Sequence, residues 1–225
     1  MPIEQEDETG LYDPEELTGI AVERAALYRF LASIFQQEMT IDLLTRILND
    51  KFLAFLAGVG ADAGSLATLV PGKELEEELS QEYTRLFIGP GRHVSPYESV
   101  HLGGDSGSLW GPQTTALKKF IESAGSTYTD IYRDLPDHIS VELEFMAQLT
   151  EIEADAWRAN NSSKALNSIQ FQKEFLAHHL GRWTHSFSVR VEELAEHPIY
   201  PQMALVVRNF VDDEIKELAA QNGGS

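Results

Sequence analysis

PDHISVELEFMAQLTEIEAD, residues 136–155, decides the fold class. Ile139, Leu143, Met146, Leu149 and Ile152 recur three or four apart and form one stripe on an α-helix, with Glu142, Glu144, Gln148, Glu151 and Asp155 on the other face. Strand-like alternation is absent, and Pro136 stands where a first-turn proline is tolerated. An amphipathic helix of this length needs further helices to cover its apolar side, and the flanking sequence supplies them.

Toward the N-terminus, a short helix is expected over 113–123 and another from Lys73 through Leu75, Leu79, Tyr83, Leu86 and Phe87, stopped by Gly89-Pro90-Gly91. Thr40 caps a helix carrying Ile41, Leu44, Ile47, Leu48 and Phe55, and 58–72, rich in Gly and Ala, reads as a connection. Asp13-Pro14-Glu15-Glu16 has the form of an N-cap, a first-turn proline and a reaching glutamate, followed by the stripe Ile20, Leu27, Leu31, Ile34. Toward the C-terminus, Ser162 or Ser163 caps a helix with Leu166, Ile169, Phe175, Leu176 and Leu180, and 183–194 and 203–218 are the last two. The chain therefore reads as all-α: a single helical domain of seven or eight helices over 13–220, with flexible ends at 1–12 and 221–225.

Composition limits the function classes. Of 225 residues 43% are hydrophobic and 24% charged, as in ordinary globular domains. Thirty-six acidic against 17 basic residues give a net charge of -19, which repels nucleic acid and anionic lipid and favours a cationic partner, although acidity also serves solubility alone. With no cysteine, disulfides, thiolate metal sites and thiol nucleophiles are excluded. The first 16 residues hold seven acids and no Lys or Arg, unlike a secretory signal, and no apolar run reaches 18 residues, so a cytoplasmic location without membrane insertion is expected.

From Gly89 to Pro112 the chain holds six Gly and three Pro in 24 residues, and long loops inside compact domains tend to carry function. Gly104-Asp105-Ser106-Gly107 matches a protease nucleophile turn, but a helical chain lacks the frame that turn needs, so it reads as a turn former. Glu98-x-x-His101 has di-iron spacing in a single copy, and His138 with Glu142 and Glu174 with His178 are i,i+4 pairs of a common kind, so a helical metalloenzyme is a remote reading and no metal or cofactor is expected. No phosphate-cradling glycine motif occurs. Phe30, Phe145, Phe171, Phe175 and Trp183 fall at helical spacing and read as core.

Tyr83, Leu86, Phe87, Pro96 and Tyr97 differ, because a helix end and a proline-fixed loop can surround a concavity suited to an apolar peptide. Asp137-His138 adds a carboxylate and an imidazole that can meet a cation, or Asp137 merely favours the helix N-terminus.

Three segments, Tyr83-x-x-Leu86-Phe87-x-Gly89-Pro90, Pro96-Tyr97-Glu98-Ser99-Val100 and Asp137-His138-Ile139-x-x-Glu142-Leu143-x-Phe145-Met146, occur in that order. With Phe171-x-x-x-Phe175-x-x-His178-His179-Leu180-x-x-Trp183, they resemble the TorD/DmsD family of redox enzyme maturation chaperones over roughly residues 20–215. The resemblance implies an all-helical chaperone, without turnover of its own. It implies that the chaperone binds the twin-arginine signal peptide and the apo-form of a molybdopterin oxidoreductase subunit and delays its export. It places signal-peptide binding on Tyr83, Leu86, Phe87, Pro96, Tyr97, Asp137 and His138, with Glu98 and Ser99 joined by loop position. It also implies a monomer or a domain-swapped dimer crossing over at 132–136. A nitrate-reductase-type assembly factor, whose client is never exported, would share the fold.

Overall fold

The structure, a computed structural model, describes residues 13–103, 109, 111–124 and 135–220. Among them the chain forms α1 (Pro14–Gln36), α2 (Ile41–Ile47), α3 (Asp50–Gly58), α4 (Ala63–Leu66) and α5 (Lys73–Tyr83), the last continued by a π turn, Thr84–Ile88. Then come α6 (Glu98–Leu102), α7 (Pro112–Ser123), α8 (Ile139–Arg158), α9 (Ser162–His178), a 3-10 turn (Leu180–Arg182), α10 (Thr184–Leu194) and α11 (Ile199–Ala220). Eight of these (α1, α3, α5, α7, α8, α9, α10 and α11) run nine residues or more, and no strand occurs among the described residues, in agreement with the all-α reading.

The quoted helix is the axis of the fold. α8 packs along α1 on one side and α9 on another, while α10 lies on α11. Ile139, Leu143, Met146 and Leu149 are buried as the stripe predicts, and so are Phe145, Ala147, Ala154 and Trp157. Burial of each large side chain contributes roughly 1.5–3 kcal/mol, so α8 is ordered chiefly by its neighbours. It begins at Ile139 rather than at Pro136, because the His138 ring nitrogen accepts from the Ser140 amide at 3.1 Å and caps it. It ends where Asn160 turns into the left-handed region at φ 53°.

Several expectations need correction. The helix expected to run unbroken from Thr40 splits at Asn49, whose side chain accepts from the Phe52 amide at 2.9 Å and starts a new helix, leaving Phe55 at the surface. The buried face of α1 is Ala21, Ala25, Tyr28, Leu31, Ala32, Ile34 and Phe35, and Ile20 lies outside it. Small alanines let α1 approach α8 closely, a face that counting large apolar residues misses. Asn161, not Ser162 or Ser163, caps α9, and Leu166 faces outward. The 58–72 connection contains α4, and the loop after Gly89 contains α6. Glu142, assigned to the polar face of α8, is fully buried.

Candidate functional site

The end of α5 sets the site. Its last turn widens to π form, the Gly89 amide donating back to Thr84 O at 2.6 Å, and a side chain at Gly89 would meet that same oxygen. Leu86 and Phe87 stay on the core while Ile88 turns outward, 65% exposed. The chain then runs as an irregular strap pinned by backbone hydrogen bonds. Val94 N donates to Leu86 O at 2.7 Å, Ile139 N to Pro96 O at 2.8 Å and Glu98 N to Asp137 O at 2.9 Å. Tyr97 and His138 thus form an isolated antiparallel bridge, their rings edge to face at 5.1 Å. The three segments that carry the family resemblance are joined end to end.

Beneath the strap the polar chemistry is concentrated. Asp137 Oδ2 accepts from the Ser99 amide at 3.1 Å. Glu98 lies 3.1 Å from His179 Nδ1 at the end of α9, and Trp183 Nε1 donates to Glu142 Oε2 at 3.2 Å. Asp137 and Glu142 are fully buried and Glu98 nearly so, yet Ser99 Oγ, Asp137 Oδ1 and Glu142 Oε1 have no hydrogen-bond partner among the described residues. Burial, reinforced by the Glu98 and Asp137 carboxyls, pushes the Glu142 carboxyl well above the ordinary glutamate range, against the Trp183 hydrogen bond. The site therefore favours the neutral form of Glu142. His101, at hydrogen-bond distance from Ser95 O (2.8 Å) and Ser186 Oγ (3.0 Å), is held below the usual imidazole range by burial.

The candidate residues sit deeper than an open groove requires. Tyr83, Leu86 and Phe87 face the core, where Tyr83 OH donates to Phe35 O at 3.2 Å and Phe87 packs on Phe35, Phe187 and Tyr200. Pro96, Glu98, Ser99, Asp137 and His138 are buried, and only Tyr97 is half-buried. The concavity expected from these side chains is closed in this structure. Leu86 O and Val94 N link the helix end to the strap, and the Pro96–Ser99 stretch meets Asp137-His138 directly.

The metal-like spacings resolve differently. Glu98 meets His179 rather than His101, His138 caps α8, and among the described residues no three His, Asp or Glu side chains are grouped to hold a metal ion. Ser106 and residues 132–134 of the expected crossover lie outside the described residues. Sequence reasoning missed His179, and it missed Glu142 and Trp183 as a pair. The available signal was that a buried indole N–H demands an acceptor.

One surface pocket of about 600 Å³ lies on the outer side of the π turn, lined by Ser80, Thr84, Arg85, Pro90 and Arg92 among others. Arg85 is committed to Glu82 (2.8 Å) and Leu194 O (2.8 Å). Two arginines give this pocket the wrong sign for a cationic ligand. No helix among the described residues is long and apolar enough to cross a membrane.

Comparison with known proteins agrees with this architecture. The family model described as nitrate reductase delta subunit matches residues 53–188. Chaperone protein TorD of Vibrio cholerae serotype O1 is 24% identical over 212 residues, 89% of this chain and 94% of the relative. That of Photobacterium profundum is 26% identical over 185 residues, 77% of this chain and 84% of the relative. A solved structure from Archaeoglobus fulgidus, described as a redox enzyme maturation protein, superposes with a TM-score of 0.50 at 26% identity, covering 84% of this chain and 93% of the other.

Proposed function

The chain belongs to the nitrate reductase delta subunit family, and on that premise we propose that it is a cytoplasmic redox enzyme maturation chaperone without turnover of its own. Its client is the apo-form of a molybdopterin-dependent oxidoreductase subunit, bound through its twin-arginine signal peptide and its body until the cofactor is inserted. The observation that carries this reading is the Tyr97–His138 bridge, which joins two motif segments some forty residues apart at one acid-rich place. A twin-arginine signal has a cationic start and an apolar middle. The Glu98 and Asp137 carboxyls answer the first, and Tyr97 with the outward Ile88 answers the second.

Calorimetry with a twin-arginine peptide tests the reading. Tyr97, half-buried at the surface of the strap, is the cleanest probe, because truncation at Tyr83 or Leu86 would also damage the core. Tyr97→Ala is expected to weaken binding about tenfold, in the range of an aromatic contact residue. Unchanged affinity for both Tyr97→Ala and His138→Ala sinks the site assignment.

The family description, nitrate reductase delta subunit, supports a nitrate-reductase-type assembly factor as a second reading, and in that reading the client is never exported. Affinity capture from the native host decides between them: a client with a twin-arginine leader supports the first, and one without it the second.

A further inference from the structure

The strap between the π turn and α6 closes over the proposed site, yet little apolar surface holds it there. Val94 and Pro96 are its buried apolar anchors. Beside the Tyr97–His138 ring contact, the remaining attachments are chiefly polar: the amides of Val94, Glu98, Ser99 and Ile139, the Glu98–His179 pair and the two contacts of His101. Under these attachments sit Asp137 and Glu142, each with a buried carboxyl oxygen that no described residue donates to, and the Ser99 hydroxyl, likewise without a partner among the described residues. Leaving a buried acceptor without a donor is costly, so the closed strap stores a penalty that opening to water relieves.

We propose that the strap is a proton-operated latch, closed while Glu142 carries its proton and released toward water when that proton leaves. Glu142 is the operating group because it is caged by acids. Glu98 and His101 face the junction from α6, Asp137 and His138 from the start of α8, and His179 from the end of α9, with Arg190 of α10 acting on His101, and among the described residues no Lys or Arg is paired with any of the three carboxyls. Removing the Glu142 proton therefore adds a third carboxylate to a dry, uncompensated cluster.

The direction of the pH dependence follows from linkage. In the open strap Glu142 titrates as an ordinary glutamate, near pH 4.3, whereas in the closed one burial and its acidic neighbours keep it neutral to much higher pH. The closed form binds more protons in that window, so closure is strongest at or below the ordinary glutamate range and weakens as pH rises toward the closed-state value. His101 has the opposite sign. Its neutral form belongs to the closed strap, so acidification below about pH 6.5 loosens the same element. As regulation of the site the latch rests on the client reading above. The strap would yield Tyr97, Asp137 and the core-facing Leu86 to a client under conditions that deprotonate Glu142.

Hydrogen exchange of the ligand-free full chain, read at the Glu98, Ser99 and Ile139 amides and corrected for the intrinsic rate, tests the latch between pH 6.5 and 8.5. One-proton coupling gives a local opening constant that rises by up to about tenfold per pH unit. Glu142→Gln keeps an acceptor for Trp183 Nε1 and cannot titrate, so its profile is expected to be flat. A flat profile in the unmodified protein, or an equal rise in Glu142→Gln, overturns the proposal. Should Glu142→Gln fail to fold, Asp137→Asn decides: a rise that levels off at lower pH supports the latch, and an unmoved one overturns it. No peptide enters this experiment, so its failure leaves the client reading standing, and failure of peptide binding leaves the latch standing.

Discussion

Two regions of this molecule bury several carboxylates, and they treat them in opposite ways. At the meeting of α1, α8, α9 and α11, Arg24 donates to Glu214 (2.6–3.0 Å), Glu153 (3.0 Å) and Gln172 (2.7 Å). Gln172, Trp157 and Tyr28 supply the remaining donors, so every oxygen of Glu153 and Glu214 has a partner. At the strap, Glu98, Asp137 and Glu142 share one histidine, one indole and one backbone amide, and oxygens are left over. The same residue types make a fixed joint in one place and a metastable one in the other. The difference is a single guanidinium, whose five donors in a planar fork satisfy what an imidazole cannot.

The joint should break hardest. Arg24→Met removes the cation and leaves Glu153 and Glu214 buried without compensation, which is expected to cost about 3–5 kcal/mol of unfolding free energy. Urea denaturation at neutral pH measures it. The loss should shrink in acid, as the stranded carboxylates take up protons. A cost under about 1 kcal/mol would show that water reaches this joint and that the contrast is overdrawn.

At the strap the sign reverses. Glu142→Gln removes a carboxyl whose neutral form the fold must maintain against neutral solvent, so the variant should be more stable than the parent at pH 8, by about 1–2 kcal/mol, a gain of the size of one buried polar group relieved. Near pH 4, where Glu142 is protonated in folded and unfolded chains alike, the two should coincide. Thermal melts at both pH values check this, and equal stability at pH 8 would mean that Glu142 is not strained.

How far the sequence showed these regions depends on what each needs. The α8 stripe, the proline and glycine stops and the Asp13 and Thr40 caps are local signals, so most helices were legible. The close α1–α8 contact was not, because it rests on Ala21, Ala25 and Ala32, whose burial no hydrophobic count weights heavily. The site residues were legible as motifs in order, and Asp137 and His138 do meet the Pro96–Ser99 stretch. Their depth was not, since an open groove and a closed strap have the same sequence. Glu142 shows why: its helical position placed it among the polar residues of α8, and only Trp183 and Glu98 lying against that face make it a core residue. Arg24, too, reads as one more charged residue on α1 until four helices converge on it.

The smallest effect sharpens the contrast most, because it holds the chemistry constant and changes only burial. Arg29 lies five residues after Arg24 on the same helix and also reaches α8, pairing with Glu144 at 3.3 Å and with Glu151. Its side chain is 45% exposed where that of Arg24 is 11% exposed. Water and salt screen the pair, and both partners keep their hydration when it breaks, so Arg29→Met should cost about 0.2–1 kcal/mol and less still at 1 M salt. The same urea titration reads both arginines. If Arg29→Met costs as much as Arg24→Met, the count of hydrogen bonds rather than desolvation sets the strength of these joints. The metastability ascribed to the strap would then rest on its missing partners alone.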